Sequence, residues 1–324
     1  MKVALTGASG HVGANITRQL LGKGIRPQVL VRNDRKAVEG LNVETIAGDV
    51  LNPESLDRLV AGASVVIHSA ALISISGDPD GSVFRTNVEG TQNVVNACLK
   101  AGVKRLVHIS SVHAFQQLPK DQALNEEREK VGESGFAYDR SKVAGENVVR
   151  KSVDKGLEVI ILNPTAIIGP YDFKPSFMGK ALWEIYQGKI PAMISGGFDW
   201  VDVRDVADAA IQAMEKGESG EHYLISGHYL PVRELAATLC RIYDRKPPGM
   251  VLPQFVARLG LPFIQLYVSL THRPPLYTRE SLDTLRDGNP MISCQKAQKA
   301  LGYRPRPVEE TLKDTMDWML THRI

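Results

Sequence analysis

Residues 136–142 read FAYDRSK and place Tyr138 four positions before Lys142. A phenol can give a proton to an oxygen, or take one from it, while a neighbouring atom gains or loses a hydride. An ammonium one helical turn away can stabilise the phenolate that results. The pair alone is a weak signal. A chain with nine tyrosines and this much lysine shows one such spacing by accident about half the time. Tyr138 is, however, the only tyrosine with a lysine four residues on. The unperturbed phenol titrates near pH ~10, so work near neutrality requires a shift of about three units. A lysine cation at ~4 Å in an effective dielectric of ~20 supplies about that much. Lys142 is therefore expected to pull the Tyr138 pKa down. Ser111 ends the apolar run RLVHISS, where its hydroxyl could bond a substrate oxygen as charge develops there. Ser110 is the alternative hydroxyl.

A second group of residues sits at the N-terminus. The stretch LTGASGHVG carries Gly7, Gly10 and Gly13 directly between the first apolar run and the first helical pattern. Gly7 permits a tight turn, Gly10 lets backbone approach a pyrophosphate, and Gly13 lets a helix pack closely on a sheet. The N–H groups of Ser9, His11, Val12 and their neighbours at the helix start then face phosphate. This spacing in strand–turn–helix context predicts a dinucleotide cofactor. At the end of the second run, VLVRNDRK, Arg32 stands where an acid would accept from a ribose 2′-hydroxyl, with Arg35 and Lys36 behind it. A guanidinium grips a 2′-phosphate, worth about 1.5–3 kcal/mol, or ten- to a hundredfold in affinity. NADP(H) is favoured, with NAD(H) the alternative.

The elements that position these groups follow from the apolar pattern. KVALTG, PQVLVR, VETIAGD, SVVIHSAA, RLVHIS and LEVIILN read as buried strands, alternating with amphipathic stretches such as HVGANITRQLLGKG and PESLDRLVAG. That alternation predicts an α/β fold, a Rossmann-type doubly wound parallel sheet with a small, mostly helical substrate lobe. The core is read as 1–164 completed by about 193–227. The lobe is read as about 165–192 and 228–290, with a C-terminal helix at about 307–321. Ligands sit beyond the carboxyl ends of such strands, which aims Ser111 at the cleft.

Composition narrows the partners to a small-molecule substrate. A net charge of +3 without a basic block argues against nucleic acid, and 43% hydrophobic residues are ordinary for a globular protein. Three scattered cysteines, Cys98, Cys240 and Cys294, suit a reducing cytoplasm and give no disulfide frame or zinc site. The stretch Val251–Leu270 is the most lipid-like, but Arg258 and two prolines argue against a span. Buried lobe helices are the expectation, and membrane-surface attachment the alternative. Monomer and homodimer both remain open.

Taken together, the glycine motif, Asp49-Val50, Ala70-Ala71, NVEGTQN, Ser111, Tyr138-x-x-x-Lys142, LNPTAIIGP and WVDVRDVADA resemble the extended short-chain dehydrogenase/reductase, or NAD-dependent epimerase/dehydratase, family. The resemblance covers nearly the whole chain and is nearest to dihydroflavonol-reductase-like chains and hopanoid-associated sugar epimerases. It implies that Tyr138 is the acid, that Lys142 also holds the nicotinamide ribose, and that Asp49 and Val50 hold the adenine. Ala70, Ala71, Pro164 and Ile167 would line the dinucleotide, and Asn87 would serve structure or a water relay. His113 is a candidate substrate contact or packing residue, and His68 reads as core.

The lobe sets substrate choice. Arg273 and Arg279 could clamp a pyrophosphate, but LISISGDPDG and PYDFKPSFM carry few charges suited to it. Reduction of a carbonyl on a small, largely apolar molecule is therefore favoured. Nucleotide-sugar epimerisation or dehydration with retained NAD(P) is the alternative.

Overall fold

The computed structural model describes residues 1–271 and 277–322, those of 263–271 by their backbone alone. Seven parallel strands form the main sheet. In chain order these are β1 (Val3–Thr6), β2 (Gln28–Val31), β3 (Glu44–Ala47), β4 (Val65–His68), β5 (Arg105–Ile109), β6 (Glu158–Pro164) and the later strand His222–Ile225. Spatially they run His222–Ile225, β6, β5, β4, β1, β2, β3. The chain order turns back between β4 and β2, on either side of β1, so the crevice beyond the strand ends opens there.

Strand residues point alternately to two helical layers. Leu5, Val29, Ile67, Val107 and Ile160 pack with Ile16 and Leu20 of α1 (His11–Gly22) and Val206 and Ile211 of the helix Val203–Lys216. Their sequence neighbours Ala4, Leu30, Val66, Leu106 and Ile161 pack on the other face. There they meet Leu56 and Leu59 of α2 (Pro53–Val60), Val94 and Cys98 of the helix Gly90–Ala101, and Val149 of the helix Ala137–Arg150. Apolar side chains on both faces account for the continuous apolar runs in the sequence.

The second lobe has its own core. Leu182, Ile185, Trp200, Leu235, Leu239, Met316 and Trp318 are buried together. A three-stranded sheet joins Ala166–Ile168, Gly197–Asp202 and His228–Pro231, and Ala192–Ile194 pairs in parallel with Met250–Leu252. The segment 193–227, read as core, therefore divides. Val203–Lys216 and His222–Ile225 complete the core, whereas Ala192–Ile194 and Gly197–Asp202 pair with lobe strands instead of entering the main sheet. Within Gly197–Asp202 the alternation explains this: Val201 points into the core, and Phe198 and Trp200 into the lobe. The last helix spans Val308–His322 and buries Leu312 and Met316 in the lobe.

The lipid-like stretch forms the end of the strand Met250–Leu252 and the helix Gln254–Thr271, which contains Pro262. Among the described residues no helix is long and apolar enough to cross a membrane. Phe255 and Leu259 are exposed on it, so its first turns are not buried as expected. Buried aromatic and aliphatic partners are supplied to that lobe by other elements.

Candidate active site

The first strand feeds a turn at Gly7, whose φ of +79° suits glycine. A Cβ on Gly7 would stand 2.6 Å from the Ala70 nitrogen, and one on Gly13 would stand 2.1 Å from the Gly7 carbonyl oxygen. Gly7 thus closes β1 against the chain leaving β4, and Gly13 lets α1 sit tight on the turn. Gly10 caps α1. Gly7 and Gly10 open onto a cavity of about 510 Å³ that Ser9, Asp49, Val50, Ala70 and Ala71 also line, with Arg32 at its rim. Glycine turn, helix start and cavity size all fit a dinucleotide, whose pyrophosphate would face the N–H groups that begin α1.

Other predicted cofactor residues play supporting parts. The His11 ring bonds the carbonyls of Gly169 and Pro170 at 3.0 and 3.1 Å, tying the start of α1 to the second lobe. Val12 packs on the core. Pro164 ends β6, beside Ile225, and Ile167 pairs with Val201. Neither lines the cavity.

Arg32 was expected to be free to grip a phosphate. Its side chain is 72% exposed and pairs with Asp49 at 3.3 Å. Asp49 also accepts from the Leu51 N–H, so one carboxylate shapes the turn and shares the guanidinium. The sequence reading passed over Lys174. It comes from the PYDFKPSFM loop of the second lobe, lines the same cavity, and pairs with Asp34 at 3.3 Å. No local signal marks it, because the contact spans 140 residues of chain.

The chemical group assembles at the end of β5. Phe136 precedes the helix Ala137–Arg150 in extended conformation, and Tyr138 and Lys142 share one helical face. Lys142 is buried, and its Nζ donates to the Ile109 carbonyl at 2.8 Å. Burial lowers its pKa to about 8, and Glu146 opposes that shift. Tyr138 departs from expectation: burial pushes its pKa up to about 12, against the influence of the Ser111 hydroxyl. Two causes explain the reversal: the phenol loses water, and the nearby Asp139 adds to the shift. The result is a phenol that holds its proton.

The two serines separate cleanly. The Ser110 hydroxyl donates to Glu146 at 2.6 Å inside the protein. Ser111 accepts from the His113 N–H at 3.1 Å and keeps its own proton available beside Tyr138. Asn87 exchanges hydrogen bonds with the Leu72 backbone and donates to Ser141 at 2.9 Å, fastening the loop after β4 to the helix of Tyr138. His68 is core, bonded to Thr6 and Thr91.

Next to Tyr138 in the chain, Asp139 lines a cavity of about 180 Å³ together with His113, Phe115, Phe136, Leu118 and Asp283. Burial lifts the Asp139 pKa to about 7 and lowers that of His113 to about 4. They stand 3.8 Å apart, with the imidazole neutral. Of the two arginines proposed for a pyrophosphate, Arg279 has an 84% exposed side chain 3.9 Å from Asp283. Arg273 lies outside the described residues.

Comparison with known proteins agrees with this geometry. Residues 3–226 match the model of the NAD dependent epimerase/dehydratase family. The chain is 32% identical to sterol demethylase protein B of Methylococcus capsulatus, over 98% of each chain. It is 29% identical to a putative dihydroflavonol 4-reductase of Synechocystis, over 98% of this chain and 94% of the other. The crystal structure of gox2253 superposes with a TM-score of 0.85 at 32% identity, covering 99% of this chain and 98% of that one. The chain belongs to the NAD-dependent epimerase/dehydratase family of extended short-chain dehydrogenase/reductases, and is an enzyme of the NAD(P)-dependent oxidoreductase type.

Proposed function

We propose that the protein is an NADPH-dependent reductase of a carbonyl on a small, largely apolar molecule. The observation that carries this reading is the lining of the Asp139 cavity, taken as the substrate side. Among the described residues it presents Asp139, Asp283 and Asp287, the apolar side chains Phe115, Leu118, Val131 and Phe136, and no lysine or arginine. The nearby Arg258, Arg279 and Arg286 already engage Asp283 and Asp287. Two phosphates placed there would therefore find no unengaged cation in the described lining, which is costly in a partly dry site. A neutral carbonyl compound meets no such penalty. The similarity to a putative dihydroflavonol 4-reductase supports the same class.

When bound, the reduced nicotinamide would supply the hydride. The Tyr138 hydroxyl, which holds its proton, then gives it to the carbonyl oxygen. The Ser111 hydroxyl donates a hydrogen bond to the same oxygen. The Lys142 cation stabilises the phenolate left behind. Arg32 and Lys174, on two sides of the cofactor cavity, would favour a 2′-phosphate over a bare ribose.

A panel of aldehydes, ketones and nucleotide sugars tests the proposal, with NADPH absorbance followed alongside product analysis. The expected result is one NADPH consumed per alcohol formed on an apolar ketone or aldehyde. Interconversion of a nucleotide sugar with no net change in absorbance would overturn it.

A further inference from the structure

The helix of Tyr138 carries one more group on its working face. Glu146 lies four residues beyond Lys142 and eight beyond Tyr138, and its side chain is 2% exposed. One carboxylate oxygen accepts from the Ser110 hydroxyl and from the Asn163 amide, each at 2.6 Å. The other stands 2.7 Å from the Lys130 ammonium. Asn163 also donates to the Ser111 carbonyl at 2.9 Å. Three successive residues at the end of β5 are thus gripped from below: Ile109 by Lys142, Ser110 by Glu146, and Ser111 by Asn163.

A buried carboxylate needs compensation, and this one has two cations near it. Lys130 lies over the Phe115 ring at 3.3 Å, and its backbone forms an isolated antiparallel bridge with Phe115. Lys142 lies one helical turn before Glu146 on the same helix. The remaining groups around Lys142 give it no negative charge. His68 from β4 is bonded to two threonines, His108 from β5 is buried, and burial holds both well below their ordinary pKa. Tyr138 keeps its proton, and Ile109 offers only a carbonyl. Glu146 is therefore the one carboxylate among these groups.

We propose that Glu146 is a positioning residue: its buried carboxylate holds the Lys142 ammonium charged and, through Ser110 and Asn163, fixes Ser111 beside Tyr138, with Lys130 as its counter-cation. This rests on Ser111 and Lys142 being working residues. The mechanism itself needs no contact between Glu146 and substrate. The charge and the grip are separable, because glutamine keeps an accepting oxygen and loses the charge.

The test reads Lys142 directly, by titrating the isotope-labelled ε-carbons of lysine by NMR in the full chain without substrate. Lys142→Met identifies the resonance. Glu146→Gln should lower the Lys142 midpoint, now about 8, by about one unit or more. Glu146→Asp, which retains the charge, should restore most of it. The pH profile of turnover should shift in the same direction, so that activity in the Gln variant is lost at lower pH. An unmoved Lys142 midpoint in a folded Gln variant would overturn the proposal. If the Gln variant does not fold, Lys130→Met is titrated instead: it strips Glu146 of its counter-cation and so changes the charge that Lys142 faces, and a Lys142 midpoint that does not move overturns the proposal. Because the titration uses no substrate, its outcome is separate from whether the enzyme reduces carbonyls.

Discussion

Tyr138 reaches the cleft as a protonated acid, and Lys142 as a cation whose charge burial has weakened. Replacing Tyr138 by phenylalanine should therefore leave cofactor dissociation constants within about twofold while turnover falls by about two to four decades, the usual contribution of one positioned acid. Stopped-flow reduction of a substrate found by the panel measures both. Turnover in the unmutated enzyme should decline as pH rises through about 8, where Lys142 loses its proton. These residues were legible because type and spacing suffice for them: glycines at a turn, and a phenol and amine one turn apart. The direction of the Tyr138 shift was not. It depends on burial, which no spacing states. Glu146 was within reach of sequence reasoning, since the same spacing of four that linked Tyr138 to Lys142 links Lys142 to it.

At the scale of elements, the loop between Ala166–Ile168 and the helix Phe177–Tyr186 closes one side of the cofactor cavity. Asp172 accepts from the Ser176 N–H at 2.7 Å and stiffens the loop, and Lys174 reaches across to Asp34. An exposed pair of this kind is worth about 0.2–1 kcal/mol. Lys174→Ala should accordingly speed cofactor release by about fivefold at most. If the loop also reads the 2′-phosphate, affinity for NADPH should weaken more than affinity for NADH. Arg32→Ala should do the same from the opposite wall, by about tenfold. Dissociation constants for both cofactors by fluorescence titration check this, and equal losses for the two cofactors would remove both residues from phosphate recognition. The alternation of apolar runs and helices made the parallel core legible. The division of 193–227 was not, because Gly197–Asp202 serves two cores at once. A strand that sends Val201 one way and Trp200 the other carries the same apolar density as a strand buried in one sheet.

At the scale of the whole molecule, the second lobe meets the core across the substrate cleft through the helix Arg279–Asp287. Its cap Thr278 donates to the Ile75 carbonyl at 2.5 Å, and Glu280 accepts from the Gly77 N–H at 3.3 Å. The loop after β4 is thereby held by the lobe. Burial lifts the pKa of Glu280 to about 7, and the nearby Asp139 adds to that shift. The folded pKa lies above the ordinary carboxyl value. The stability that goes with the neutral carboxyl is therefore full below about pH 4 and is lost as pH rises through about 7, while the Gly77 N–H opposes the shift by favouring the ionised form. Glu280 is half-buried, so solvent screens much of the effect and a change of about 1–3 °C in Tm is the appropriate scale. Between pH 6 and 8 the unmutated protein should lose that much more thermal stability than Glu280→Gln, which cannot ionise. Parallel melting curves for the two proteins across this range would show that ionisation of Glu280 does not weaken the fold.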